Sequence, residues 1–223
     1  MLQLHRNVRS NPIMRIINLF ALLLFTTVTY AESSDDVLKR FLGNMQTLEA
    51  NFKQTLIDDQ GTEFESTSGV VFLNRPDKFR WDYKIPYAQT IVTNGESLWF
   101  YDEDLEQLTI RDFSTSIENT PAAIFGSYDD LDAQFIIIKL GNIEKFDWIE
   151  LTPRDIESQY NSIRLGFDKD KLGMMVMFDN LGQVTRIDFT EEVLNKKMDD
   201  SLFNFEPPQG IDIIDDRVPI DMP

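Results

Sequence analysis

In KFRWDYK, residues 78–84, the aromatic side chains Phe79, Trp81 and Tyr83 alternate with the charged Lys78, Arg80, Asp82 and Lys84. Successive side chains of a strand point to opposite faces, so this segment reads as a strand with one apolar and one charged face. A two-residue period also runs through ANFKQTLID (50–58), TEFESTSGVVFLN (62–74), YAQTIVTNGESLWFYD (87–102) and LEQLTIRD (105–112). It resumes in QFIIIKL (134–140), FDWIELTP (146–153), NSIRLGF (161–167), MMVMFD (174–179), QVTRIDFTE (183–191) and SLFNFEP (201–207). Turn-forming clusters separate these runs: Asp58-Asp59-Gln60-Gly61, Arg75-Pro76-Asp77, Asn94-Gly95 and Asn180-Leu181-Gly182. The spacing predicts about ten antiparallel strands, and one sheet of that size curls rather than staying flat.

Two stretches depart from the strand period. Val37, Leu38, Phe41, Leu42 and Met45 form one helical stripe, with Ser33 or Ser34 placed to cap the helix and Asp35 and Asp36 to complement its dipole. Residues 113–133 have no alternation; Thr120-Pro121 suits a helix start and Gly126 its end, so one or two short helices are expected there. The expected fold is mainly β (α+β): a single curved antiparallel sheet covered by a lid of short helices over an apolar space.

The N-terminal segment has a different character. Arg6, Arg9 and Arg15 precede an apolar run from Ile16 to Val28, and Thr29-Tyr30-Ala31 offers small residues for cleavage. This pattern is that of a secretory signal over residues 1–31, with residues 32–223 as one mature domain. The run of about 13 residues is short for a membrane span, which needs roughly 20. Met14 opens an equally good, shorter signal, and a start there gives the same mature chain.

The signal holds three of the 21 basic residues and none of the 38 acidic ones, leaving 18 basic against 38 acidic, a formal net charge of −20. Such a surface repels nucleic acid and anionic membranes, so nucleic-acid binding is not expected and basic patches are the fitting partners. Cysteine is absent and the one histidine, His5, lies in the signal. A cysteine nucleophile, a serine–histidine pair and the common zinc sites are therefore excluded from the mature chain. No metal or other cofactor is expected.

ANFKQT, FLNRPDKFRWDY, TNGESLWFYDEDLEQ, NTPAAIF, DNLGQVTRIDF and LFNFEPPQGIDII occur in an order and at spacings that resemble the periplasmic lipoprotein carrier family LolA. The match spans nearly the whole mature chain. The resemblance implies that the sheet forms an incomplete, half-open β-barrel that shields the acyl chains of outer-membrane lipoproteins in the periplasm. Cargo would come from an inner-membrane lipoprotein-releasing ABC transporter and pass to an outer-membrane lipoprotein receptor, the carrier being a monomer. That receptor is itself a lipoprotein, and the missing cysteine favours the soluble carrier. Where the family often has two bulky apolar residues after Asn-Thr-Pro, this chain has Ala122 and Ala123.

Joined to the strand alternation, the resemblance gives a lipid-facing set: Phe79, Trp81, Trp99, Tyr101, Phe72, Leu56, Leu38, Leu42 and Ile124. Trp99, Phe100 and Tyr101 are consecutive and cannot share a face, so either Trp99 and Tyr101 or Leu98 and Phe100 line the space. Arg75 beside its proline is an ordinary surface arginine on its own terms. The resemblance makes it a latch that donates to lid backbone carbonyls, a role suited to five fixed donors. Two other readings stay open: a lipid-sensing regulator or general acyl-binding protein of the same fold, and a secreted hydrolase using paired carboxylates. Acidic runs such as YDEDLE and SYDDLD sit at turns, where solvated acids are usual.

Processing after Ala31 gives a mature N-terminus at Glu32. Intact-mass measurement of the periplasmic protein checks this, and retention of residues 1–31 overturns it.

Overall fold

The computed structural model describes residues 34–113, 123–126 and 131–217. The signal, the Asn119-Thr120-Pro121 segment and Ala122 lie outside these residues, as do the side chains of 34–36 and of Ala123.

Helix α1 (Ser34–Asn44) is followed by β1 (Thr47–Ile57), β2 (Glu63–Asn74), β3 (Lys78–Ile85), β4 (Gln89–Thr93), β5 (Ser97–Asp102) and β6 (Gln107–Asp112). The single-turn helices α2 (Ala123–Gly126) and α3 (Leu131–Gln134) lead into β7 (Phe135–Ile143), β8 (Phe146–Pro153), β9 (Tyr160–Asp168), β10 (Lys171–Asp179), β11 (Val184–Leu194) and finally β12 (Asp212–Asp215). Among the described residues, twelve strands share one open sheet in the order β12-β6-β5-β4-β3-β2-β1-β11-β10-β9-β8-β7. Neighbours are antiparallel except β12, which runs parallel to β6. Hairpins build each half in sequence, and the pairing of β1 with β11 joins the halves.

One face of the sheet is the core face. Along β1 it carries Leu48, Ala50 and Phe52, and the register sets these opposite Leu73, Val71 and Gly69 of β2. From there Leu73 pairs with Phe79, Val71 with Trp81 and Gly69 with Tyr83 on β3. Across β1 the same face continues into Phe189 and Ile187 of β11, Met175 and Met177 of β10, and Leu165 and Ile163 of β9. This face is concave. Trp81 and Phe189 lie on strands separated by three steps of the sheet, about 14 Å if flat at the usual strand spacing. Their ring centroids are nevertheless only 6.4 Å apart.

Gly69 sits where this curl is tight. A Cβ built there would lie 1.8 Å from the Asp82 carbonyl oxygen and 2.9 Å from the Phe52 ring. The absent side chain lets β3 swing inward beside a bulge and brings the Phe52 and Tyr83 rings to 5.2 Å. Helix α1 covers one end of the concave face with the expected stripe, Val37, Leu38, Phe41, Leu42 and Met45, all buried. Phe41 packs edge-on against Phe167 of β9 at 5.3 Å.

Most of the expected architecture is present. The described architecture is an open, mainly-β sheet. Within 113–133 the described residues include the short helices α2 and α3, in keeping with the one or two expected there, and Ile124, Phe125 and Leu131 are buried against the core. Two expectations need correction. The segment 201–207 is not a strand: Asp199 accepts the Ser201 N–H and caps a 3-10 turn over Asp200–Phe203. Its Phe203-x-Phe205 spacing mimics alternation, but the two rings cover the convex face. Finally, Asp212–Asp215, beyond the last expected strand, form β12, which runs parallel to β6, a partner remote in sequence that leaves no local signal.

Gly69→Ala will cost about 1–3 kcal/mol by overpacking against backbone that has no room to move. A lowered urea midpoint with unchanged slope checks this; wild-type stability overturns it.

Candidate functional site

The concave face divides by polarity along the strands. At the α1 end it is mostly apolar: Leu38, Leu42, Met45, Leu73, Phe79, Leu98 and Ile124 are each at most 4% exposed, and the buried Thr93 between Phe79 and Leu98 has its hydroxyl oxygen taken up by the Gly95 N–H. In its middle stands an aromatic group. Phe52 lies 4.8 Å from Trp81, and Trp81 lies 6.5 Å from Tyr83. Towards the other end polar groups enter. The Tyr83 hydroxyl donates to Gln54 Oε1 at 3.3 Å, and Gln54 is paired in register with Thr67. Beyond them Leu56 faces Glu65.

Tyr83 reports how dry this region is. Its phenol is pushed up to about 12, first by burial and then by the neighbouring Tyr160 and Glu65. Tyr160 comes from the start of β9, five strands away in the sheet order, so the two halves approach at this end. Burial raises its phenol too, with Asp179 adding to the effect.

The register assigns each expected site residue to a face. Phe79, Trp81, Leu56, Leu38, Leu42 and Ile124 lie on or against the concave face, Leu56 half-buried near its polar end. Trp99, Tyr101 and Phe72 do not. Thr93 pairs with Leu98 and Ile91 with Phe100, so Leu98 and Phe100 take the concave side and turn Trp99 and Tyr101 outward. Phe72 pairs with Arg80 and Glu49, both on the outer face. A second, smaller core covers this convex side. Tyr101 packs on Phe205 with centroids 5.1 Å apart, and Val92, Leu108 and Phe203 are fully buried. Polar contacts seat the segment after β11: Lys78 pairs with Asp200 at 2.9 Å, and Arg80 donates to the Leu202 carbonyl at 3.3 Å. The alternation in β5 is symmetric in hydrophobicity, so only tertiary pairing could choose its face.

Tyr83 completes the aromatic stripe of β3 already read from the sequence, while Phe52 and Phe189 join the site without having been singled out. Each was visible as one member of a strand alternation, but their convergence needs the curl.

Arg75 lies at the apolar end. Its guanidinium Nη1 donates to the carbonyl oxygens of Leu42 and, at 3.4 Å, Met45, and its backbone N–H donates to the Gln46 carbonyl at 2.9 Å. Leu42 belongs to the last turn of α1, whose carbonyls have no partner within their own helix. Asn195 serves the same turn: its side-chain oxygen accepts the Gln46 N–H at 2.8 Å, and its amide donates to the Asn44 carbonyl at 2.9 Å. A contact of Arg75 with Asn119-Thr120-Pro121 lies outside the described residues.

A concave apolar face closed at one end by a helix and fastened there by an arginine agrees with sequence comparison. Residues 43–206 match the family model described as Outer membrane lipoprotein carrier protein LolA. The chain belongs to the LolA family. Among its LolA relatives, a protein of Nitrosospira multiformis named "Outer-membrane lipoprotein carrier protein" is 39% identical over 86% of this chain and 93% of its own length. One of the same name from Methylococcus capsulatus is 37% identical over 92% of this chain and 100% of its own. In three dimensions the chain is similar to an uncharacterized conserved protein of Thermus thermophilus. That likeness has a TM-score of 0.53 and 14% identity, covering 82% of this chain and 99% of the other, and it concerns the fold alone.

The raised Tyr83 phenol has a consequence for stability. Its neutral form is favoured by folding, so the stabilisation is complete below the ordinary value of 10.0 and is lost as pH rises toward about 12. Two pH units correspond to about 2–3 kcal/mol. Urea unfolding on either side of pH 10.0 will show this alkaline loss, and Tyr83→Phe will remove most of it; an unchanged slope in the variant overturns the assignment.

Proposed function

We propose that this chain is a soluble periplasmic chaperone that holds the acyl chains of outer-membrane lipoproteins on the concave face of its sheet. It takes them from an inner-membrane lipoprotein-releasing ABC transporter and delivers them to an outer-membrane receptor. The observation that carries this reading is the meeting of Phe52, Trp81, Tyr83 and Phe189 on one curled face in a chain of this family. Each methylene moved out of a membrane costs about 0.8 kcal/mol, so an acyl chain of lipoprotein length needs a shield to cross water. Rings and branched aliphatic chains offset that cost, while the acidic exterior keeps the loaded carrier soluble and off anionic membranes.

Handover needs a closed form that yields. Arg75 ties the last turn of α1 to the β2–β3 turn by hydrogen bonds from a charged donor, each worth about 1.5–3 kcal/mol. That is enough to favour one arrangement of the helix over another without fixing it. Release of cargo to the receptor is the step that uses this balance.

Trp81→Glu puts a carboxylate on an apolar surface at a cost of several kcal/mol. The variant will keep its far-ultraviolet spectrum and bind a fluorescent fatty acid at least about tenfold more weakly; full binding returns this face to an ordinary core. Arg75→Leu will accept lipoprotein from spheroplasts at the normal rate but transfer it to receptor-bearing membranes about tenfold less well. Arg75→Lys will restore transfer only in part, because a point charge cannot reproduce the fork. Wild-type transfer by Arg75→Leu removes the arginine from the mechanism.

A further inference from the structure

The indole of Trp81 is 3% exposed, and its Nε1–H is buried with no hydrogen-bond acceptor among the described residues. Its ring neighbours are Phe52, Tyr83 and Phe189, none of which approaches as an acceptor. Buried donors are paired in nearly all folded proteins, and an orphan at the centre of a site calls for an explanation. If the site only had to hold methylenes, phenylalanine would serve without the penalty of an unpaired N–H, about 1–3 kcal/mol. The only other buried side-chain oxygen or nitrogen without a partner among the described residues is the hydroxyl of Thr67. It lies on the same face, beside Gln54 in register and farther from α1 than Trp81.

We infer that Trp81 Nε1 is a hydrogen-bond donor to an ester carbonyl of the bound lipid, and that it fixes the depth and direction in which acyl chains enter. This rests on the lipid-carrier reading and adds the ligand's chemistry to it. An ester carbonyl is the polar atom nearest the hydrocarbon in a diacylglyceryl group, so it is the natural acceptor at the border between tail and head. With the carbonyl at Trp81, the tails run toward the apolar end formed by Leu42, Phe79 and Leu98. The glyceryl group then lies toward Thr67, Gln54 and Tyr83, where hydroxyl and amide groups offer further partners. The opposite orientation would set the head group against side chains that are apolar apart from Thr93, whose hydroxyl already accepts the Gly95 N–H, and leave the Trp81 donor facing methylenes. The polarity gradient and the orphan donor therefore select one direction.

The test compares dioctanoylglycerol with its diether analogue dioctylglycerol, which has the same chains and hydroxyl but no carbonyl. Titration calorimetry on the wild-type protein should give about fivefold tighter binding of the diester, the gain from one neutral hydrogen bond. Trp81→Phe should abolish the preference, so that the variant binds diester and diether with equal affinity whatever the overall affinity becomes. In the isotope-labelled wild type, with Trp99→Phe and Trp148→Phe used to assign the three indoles, the Trp81 N–H proton should move downfield with the diester only. This second readout decides the matter even if Trp81→Phe does not fold. Equal affinity of the wild type for both probes, or an indole resonance that responds to both alike, overturns the donor role while leaving the carrier intact. Failure of the wild type to bind either probe overturns the carrier reading itself, and the donor with it.

Discussion

The pairing of β1 with both β2 and β11 is the constraint on which the rest depends. It places the first long strand at the centre of the twelve-stranded order and makes the two hairpin-built halves a single sheet. Backbone hydrogen bonds hold this ladder regardless of side chain, so a large sheet forms and must then curl. Which way it curls is a matter of side chains. Phe52 of β1, with Gly69 beside it on β2, lets the neighbouring strands lean toward one another on one face. On the other face the segment after β11 lies across β3 to β6 and fills the convex side with Phe203 and Phe205.

A concave face of this kind has more apolar surface than one eleven-residue helix can cover. Helix α1 closes the end near Arg75 and Asn195, both of which spend their side chains on carbonyls at its C-terminal end. The far end carries polar groups instead, with the Tyr83 hydroxyl donating to Gln54 and Thr67 paired with Gln54 in register. The two ends thus differ in chemistry. One is dry and pinned by a helix; the other is lined with groups that can exchange hydrogen bonds with a polar ligand. A carrier that must accept and surrender an amphipathic guest benefits from such an asymmetry, because the hydrocarbon and the head group find separate surroundings.

Much of the secondary structure was legible. Strand alternation and turn clusters marked β1 to β11 to within a few residues, and the α1 stripe was buried as expected. The misses share one origin. Phe203 and Phe205 alternate like a strand, yet Asp199 caps a 3-10 turn there, a local hydrogen bond that hydrophobic periodicity does not register. β12 exists only because β6 offers it an edge. Trp99 and Tyr101 alternate as well as Leu98 and Phe100 do, and the ladder with β4 decided between them.

The sequence by itself determined that this chain makes a sheet with an apolar face, that residues 32–223 offer neither a thiol nor an imidazole, and to which family it belongs. These follow from periodicity, composition and motif order, all of which are properties of neighbours along the chain. Only the tertiary structure decided which aromatic residues meet, which face is concave, and that Arg75 grips the end of α1. Those outcomes depend on the register between strands far apart in sequence. A one-residue change of register moves every side chain to the other face, and no stretch of the chain read alone carries that information.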